Sequence, residues 1–138
     1  MSTRKPKAVV LDAWAVLAYR EDEPGAEEIA ELVIEAQNEG VPVMMTTANV
    51  GEVWYILARE VSETEADKAV QELRHLGIQF IDPDWKLTRD AAALKAKHRM
   101  SFADCFAAAL AKQHKAQLVT GDVEFKQVEG EVQMRWVT

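Results

Sequence analysis

The sequence predicts an α/β domain of three layers, in which helices cover both faces of a central, mostly parallel sheet of about five strands. Short apolar runs of strand length alternate with segments in which apolar residues recur at helical spacing. Residues 8–11 form a continuous, Val-rich run, which is typical of a strand buried on both faces of a parallel sheet. Strands separated by helices imply right-handed crossovers. A chain of 138 residues fits a single domain, residues 1–138.

Each element of this fold has its own signal in the chain. The helical segments begin at capping residues such as Ser62 and Ser101, and two of them end just before a glycine, at Gly40 and Gly77. Strands are predicted at residues 8–11, 41–45, 78–81, 117–120 and 132–137, the last an edge strand because its apolar and polar residues alternate. Helices are predicted at residues 13–19, around 29–36, from 46 or 47 to 61, from 62 to 76, around 87–94 and from 101 to 114.

Composition and charge limit the function classes. A hydrophobic fraction of 49% and a charged fraction of 28% are ordinary for a globular protein. Cys105 is the only cysteine, which excludes an intramolecular disulfide and a cysteine-based zinc site and fits a cytoplasmic protein. No apolar run is long enough to span a membrane. The net charge of -7 repels nucleic acid, so RNA would need bound cations or a local basic strip. The densest such strip consists of Lys86, Arg89, Lys95, Lys97 and Arg99.

Four acidic residues are predicted to meet at one edge of the sheet. Asp12 follows the first strand and Asp122 follows the fourth, while Glu52 and Asp104 lie in the first turns of two helices. The carboxyl ends of parallel strands and the starts of the following helices share one edge, so the four acids can converge. Clustered carboxylates repel one another unless a cation is bound, and such ligands suit Mg²⁺ or Mn²⁺. The chemistry implied is metal-assisted attack on a phosphate.

Each of these acids also has a purely structural explanation. Acids and hydroxyls at a helix start cap free backbone N–H groups, and an acid there is favourable to the helix dipole. An aspartate after a glycine is common in turns. Four acids on one edge are harder to explain as four independent caps than as one site. Two polar residues beside them, Asn49 and Thr120, join the candidate site.

The motifs resemble those of the PIN domain family, and within it the small VapC-type toxins of bacterial and archaeal toxin–antitoxin pairs. The resemblance spans nearly the whole chain. It rests on four segments in order: residues 9–12, 47–53, 101–109 and 120–125. Each segment alone is weak evidence, whereas the ordered set is fairly specific.

The resemblance implies a three-layer PIN-like fold and a Mg²⁺- or Mn²⁺-dependent endoribonuclease that hydrolyses RNA phosphodiester bonds. It also implies a homodimer and a cognate antitoxin, a segment of which occupies a groove near the active site. The implied metal site consists of Asp12, Glu52, Asp104 and Asp122, with Thr120 and Asn49 as supporting residues of the catalytic site.

The chain departs from the family pattern at Ala13 and Trp14, where a small hydroxyl residue is frequent. Two other functions stay open. A phosphatase of the haloacid dehalogenase type needs a second aspartate two positions after its nucleophile, where Trp14 stands. A catalytically inactive PIN-like module that serves binding or assembly would not need all four acids, and a metal-binding titration separates it from an enzyme.

Overall fold

A parallel sheet lies at the centre of the molecule. In residues 5–137, which the computed structural model describes, five strands form one sheet in the order β3-β2-β1-β4-β5, and every neighbouring pair is parallel. The predicted α/β class is therefore confirmed, with a sheet that is parallel throughout. The strands are β1 (Val9–Leu11), β2 (Val43–Thr46), β3 (Gln79–Ile81), β4 (Gln117–Thr120) and β5 (Gln133–Trp136).

Strand β1 occupies the middle of the sheet and is buried on both faces. Val9 pairs in register with Val43 on one side and with Gln117 on the other. Val9 and Leu11 pack into the core on one face, and Val10 packs into the core on the opposite face. This alternation follows from the two-residue period of a strand. The residue that follows β1 is thereby held at the centre of the sheet's carboxyl edge.

Helices cover both faces of the sheet. The first four pack against one core, and the last two cover the other. A 3-10 helix, Val123–Val128, follows β4 and buries Phe125 and Val128; the sequence patterns had not predicted it. The α-helices are α1 (Ala13–Arg20), α2 (Ala26–Asn38), α3 (Thr47–Glu60), α4 (Glu63–His75), α5 (Trp85–Lys97) and α6 (Phe102–His114).

The predicted helix starts are confirmed by their caps. Five of the six helices begin after a side chain whose oxygen accepts a hydrogen bond from the backbone N–H three residues later, at 2.9 to 3.1 Å. Of the two threonines that could cap α3, Thr46 does so. The capping residues are Asp12, Thr46, Ser62, Asp84 and Ser101.

Four of the five predicted strands are shorter than expected, β1 and β3 by their first residue alone. Strand β2 begins at Val43 instead of residue 41, because the N–H of Val41 closes the end of α2 by donating to Ala36 O at 2.8 Å. Strand β5 spans four residues and is half exposed, as expected of an edge strand. Within the described part of the chain, none of the helices combines the length and the apolar character that a membrane span requires.

Candidate active site

Asp12 lies at the centre of the sheet's carboxyl edge, where it both ends β1 and caps α1. Only 1% of the residue is exposed. Its Oδ2 accepts a hydrogen bond from the hydroxyl of Thr120 at 2.5 Å, and its Oδ1 accepts one from the N–H of Ala15 at 2.9 Å. Burial raises the pKa of Asp12 to about 7, although both hydrogen bonds oppose the rise. The carboxylate is thus fixed in orientation, and no cationic side chain lowers its pKa.

Thr120 connects Asp12 to a second acid at the end of β4. Its buried hydroxyl donates to Asp12 and accepts from the N–H of Asp122 at 3.0 Å. Asp122 in turn caps the 3-10 helix, since its Oδ1 accepts from the N–H of Glu124 at 2.9 Å. The structural role anticipated for Asp122 therefore coexists with a place beside Asp12.

Asn49 joins the helices that carry the other two acids. Its side chain is fully buried, and its Nδ2 donates to the carbonyl of Ala103 in the first turn of α6 at 3.1 Å. Its Oδ1 accepts a hydrogen bond from the hydroxyl of Thr46. Asn49 therefore ties the start of α3, which bears Glu52, to the start of α6. Thr46 was not among the predicted site residues, although a hydroxyl at the end of a strand could have drawn attention to it.

Glu52 and Asp104 complete the cluster. Burial, followed by the charges of Glu52 and Asp122, raises the pKa of Asp104 to about 6, while the Ser101 hydroxyl opposes the rise. Burial, followed by the charge of Asp122, also raises the pKa of Glu52. The charges of Asp104 and Asp122 act in turn on Asp12. Each of the four acids is thus within electrostatic reach of at least two of the others.

The cluster is open and does not form a closed cage. Among residues 5–137, no three His, Cys, Asp or Glu side chains are arranged so that they alone could hold a metal ion. Mg²⁺ commonly keeps several waters and is bound through one or two carboxylates together with substrate phosphates, so it does not need three protein ligands. A cation here would offset the burial and the weaker mutual repulsion that raise these pKa values. One or two of these carboxylates, together with water, would therefore suffice to hold Mg²⁺ or Mn²⁺.

Trp14, one of the two residues at which the sequence departs from the expected pattern, packs against the turn that carries Asp122. A Cβ atom added at Gly121 would lie 2.3 Å from Cη2 of Trp14 and 2.6 Å from the carbonyl oxygen of Val137. Only a glycine permits this close approach. No acid occupies the position that phosphoaspartate chemistry would require.

Together, the parallel sheet and the four acids at its carboxyl edge define an α/β protein with an acidic site suited to a hard divalent cation. The chain belongs to the PIN domain family, since the family model described as PIN domain matches residues 9–131. No curated protein matches the chain in sequence.

Solved structures share the fold at low sequence identity. VapBC2 from Rickettsia felis, solved bound to a DNA fragment from its promoter, aligns with a TM-score of 0.75 at 16% identity, over 95% of this chain and 99% of the other. VapBC-1 from nontypeable Haemophilus influenzae aligns with a TM-score of 0.70 at 14% identity, over 94% of this chain and 97% of the other. VapC20 from Mycobacterium tuberculosis, described as a sarcin-ricin loop cleaving toxin, aligns with a TM-score of 0.68 at 16% identity, over 91% of this chain and 98% of the other.

Proposed function

We propose that this protein is a Mg²⁺- or Mn²⁺-dependent endoribonuclease and the toxin of a VapBC-like toxin–antitoxin pair. The observation that carries the proposal is the convergence of Asp12, Glu52, Asp104 and Asp122 around a buried Asp12–Thr120 hydrogen bond. Membership of the PIN domain family supports nuclease chemistry at these acids. A relative in fold that is described as cleaving the sarcin-ricin loop supports RNA as the substrate.

In this proposal the protein's own groups hold the ion and place it. Asp12 presents a carboxylate that Thr120 and Ala15 orient. Asp104 in the first turn of α6 and Glu52 in the second turn of α3 add negative charge, and Asn49 joins these two helices. When bound, the divalent cation supplies a water of lowered pKa and neutralises charge that develops on the phosphate. Without it, four neighbouring carboxylates would repel a phosphodiester.

An antitoxin is the proposed protein partner, and a homodimer is the proposed assembly. Similar folds solved as VapBC complexes support the first. An apolar groove between α1, α2 and α4 offers a surface for a partner segment, and three of its residues, Tyr19, Ile34 and Leu76, are partly exposed.

The proposal is tested by incubating the purified protein with RNA in Mg²⁺ or Mn²⁺ and mapping the ends of the products. We expect internal cleavage that EDTA abolishes and that added Mg²⁺ restores. The variant Asp12→Asn should be inactive under the same conditions. Cleavage that persists undiminished in EDTA would contradict a metal-dependent mechanism.

Calorimetric titration with Mg²⁺ and Mn²⁺ distinguishes the proposed enzyme from the alternative, an inactive binding or assembly module. The enzyme should bind one of these ions, and Asp104→Asn should weaken the binding. A protein that binds neither ion would favour the module. The phosphatase alternative has no support in the site. It would need an aspartate at the position of Trp14, whose ring instead packs on Gly121.

A further inference from the structure

An aromatic and a cationic side chain extend from the acidic cluster along one face of α3. Glu52, Tyr55 and Arg59 are spaced i, i+3 and i+7, which places them on the same side of the helix. At 1.5 Å per residue, Tyr55 lies about 4.5 Å and Arg59 about 10.5 Å along the axis from Glu52. The opposite face, with Val53 and Leu57, is buried in the core.

Tyr55 and Arg59 are both exposed and are paired with each other. The Arg59 guanidinium lies over the Tyr55 ring, with its Cζ 5.1 Å from the ring centroid, and 43% of Tyr55 is exposed. Among the salt bridges formed within residues 5–137, none involves Arg59. The cation therefore has no carboxylate partner among the described residues and is available to a phosphate, while the Tyr55 ring stays exposed beside it.

The strip on α5 is less available to RNA than its sequence indicates. Lys86 lies 3.9 Å from the carboxylate of Asp90. The ammonium of Lys95 donates to the carbonyl of Met100 at 2.6 Å, where it holds the turn between α5 and α6. A net charge of -7 requires RNA to find a local cation, and Arg59 lies two turns from Glu52.

We infer that the face of α3 formed by Tyr55 and Arg59 binds the single-stranded segment of RNA adjacent to the scissile phosphate. Tyr55 stacks on an unpaired base, and Arg59 contacts the phosphate beyond it. Stacking on an aromatic ring combined with a cation is a general means of binding single strands. The inference rests on the proposed ribonuclease function and adds to it the form of RNA that is bound and the side chains that bind it.

The test uses a fluorescent single-stranded RNA that contains a mapped cleavage site. Binding is measured by anisotropy in EDTA, and kcat and KM are measured in Mg²⁺. We expect Tyr55→Ala to raise Kd and KM about 5- to 100-fold with kcat within about twofold of wild type, and Tyr55→Phe to restore both. Arg59→Ala should also weaken binding and reduce the salt slope by about 0.7.

A matched control is available in the same chain. Arg74, near the end of α4, lies over the ring of Phe80 in the middle of the edge strand β3, with its Cζ 4.3 Å from the ring centroid. Arg74→Ala removes a cation–aromatic pair of the same kind away from the carboxyl edge of the sheet. It should leave Kd, KM and the salt slope unchanged.

The inference is overturned if Tyr55→Ala binds RNA with the wild-type Kd, whether or not the wild type cleaves. A fall in kcat with unchanged KM would also overturn it, since that result indicates a role in holding Glu52. So would a change in the molar mass of Tyr55→Ala measured by light scattering, which would assign this face to a protein interface. By contrast, a wild type that binds RNA through Tyr55 but does not cleave it contradicts only the proposed function.

Discussion

At the scale of single residues, Asp104 combines two roles that the sequence could not separate. Its backbone N–H completes the Ser101 cap at 3.1 Å, while its carboxylate contributes to the acidic cluster. The cap uses the hydroxyl of Ser101 and the main chain of Asp104. The carboxylate is consequently not required by the cap and is available to a cation.

Replacing Asp104 by asparagine tests this separation. Asp104→Asn keeps the main-chain bond to Ser101 and removes a charge that Glu52 and Asp122 oppose. We expect a metal-free melting temperature equal to or above that of wild type, a smaller stabilisation by Mg²⁺, and cleavage reduced by more than about 100-fold. Calorimetric melting with and without Mg²⁺, alongside RNA cleavage, measures all three. An active variant with an unaltered Mg²⁺ response would remove Asp104 from the site.

At the scale of elements, the turn after β4 is shaped by the helix that packs on it. Trp14 of α1 leaves no room for a side chain at Gly121, between the two polar residues Thr120 and Asp122. The helix that begins at Asp12 therefore also determines where Asp122 lies.

Gly121→Ala should disturb the site through this packing. The added Cβ would meet the Trp14 ring and the backbone oxygen of Val137, and overpacking of this kind costs about 1–3 kcal/mol. We expect lower stability in urea unfolding together with impaired cleavage. Gly130→Ala is the matched control, because a Cβ there would meet nothing within 4 Å. Equal stability of the two variants would show that the turn can move aside.

The end of α5 is the second element with a testable role. Lys97 and Arg99 remain candidates for RNA contact, whereas Lys95 holds the turn at Met100. Changing Lys97 and Arg99 together to glutamine should weaken RNA binding and reduce the salt slope by about 1.4, the value for two contacts to a single strand. Binding titrations at several salt concentrations measure the slope. An unchanged slope would identify these side chains as ordinary solvated surface.

At the scale of the whole molecule, the acidic cluster makes stability depend on pH. Burial, with mutual repulsion, raises the folded-state pKa of Asp12 to about 7 and that of Asp104 to about 6, from an ordinary value of 3.8. At a pH between 3.8 and these raised values, the folded protein keeps protons on the two carboxyls that the unfolded chain has already released. The free energy of unfolding of the metal-free protein should therefore fall as pH rises from about 4 to about 7, and then level off.

Urea unfolding in EDTA between pH 4.5 and 8 measures this dependence. Asp12→Asn should make the dependence shallower, because the amide does not titrate and Asp104 still does. With Mg²⁺ the trend should weaken or reverse, since the ion binds the deprotonated carboxylates. A difference in stability between wild type and Asp12→Asn that is the same at every pH would contradict the assignment of a raised pKa to Asp12.

The sequence by itself determined the class of fold, the order of the elements and the candidate acids. These follow from local signals, namely the two periodicities, the caps and the position of each acid after a strand or at a helix start. The 3-10 helix after β4 gave no such signal, because it is short and its burial of Phe125 depends on contacts with distant helices.

Only the tertiary structure decided how the acids interact. The Thr120–Asp12 bond joins residues 108 positions apart, and the Asn49–Ala103 bond joins residues 54 apart. The burial of Asp12, which raises its pKa, is likewise a property of the folded chain. Local pattern specifies which side chains stand at the carboxyl edge. Their distances, hydrogen-bond partners and charge states are set by contacts distant in the chain, which no sequence period encodes.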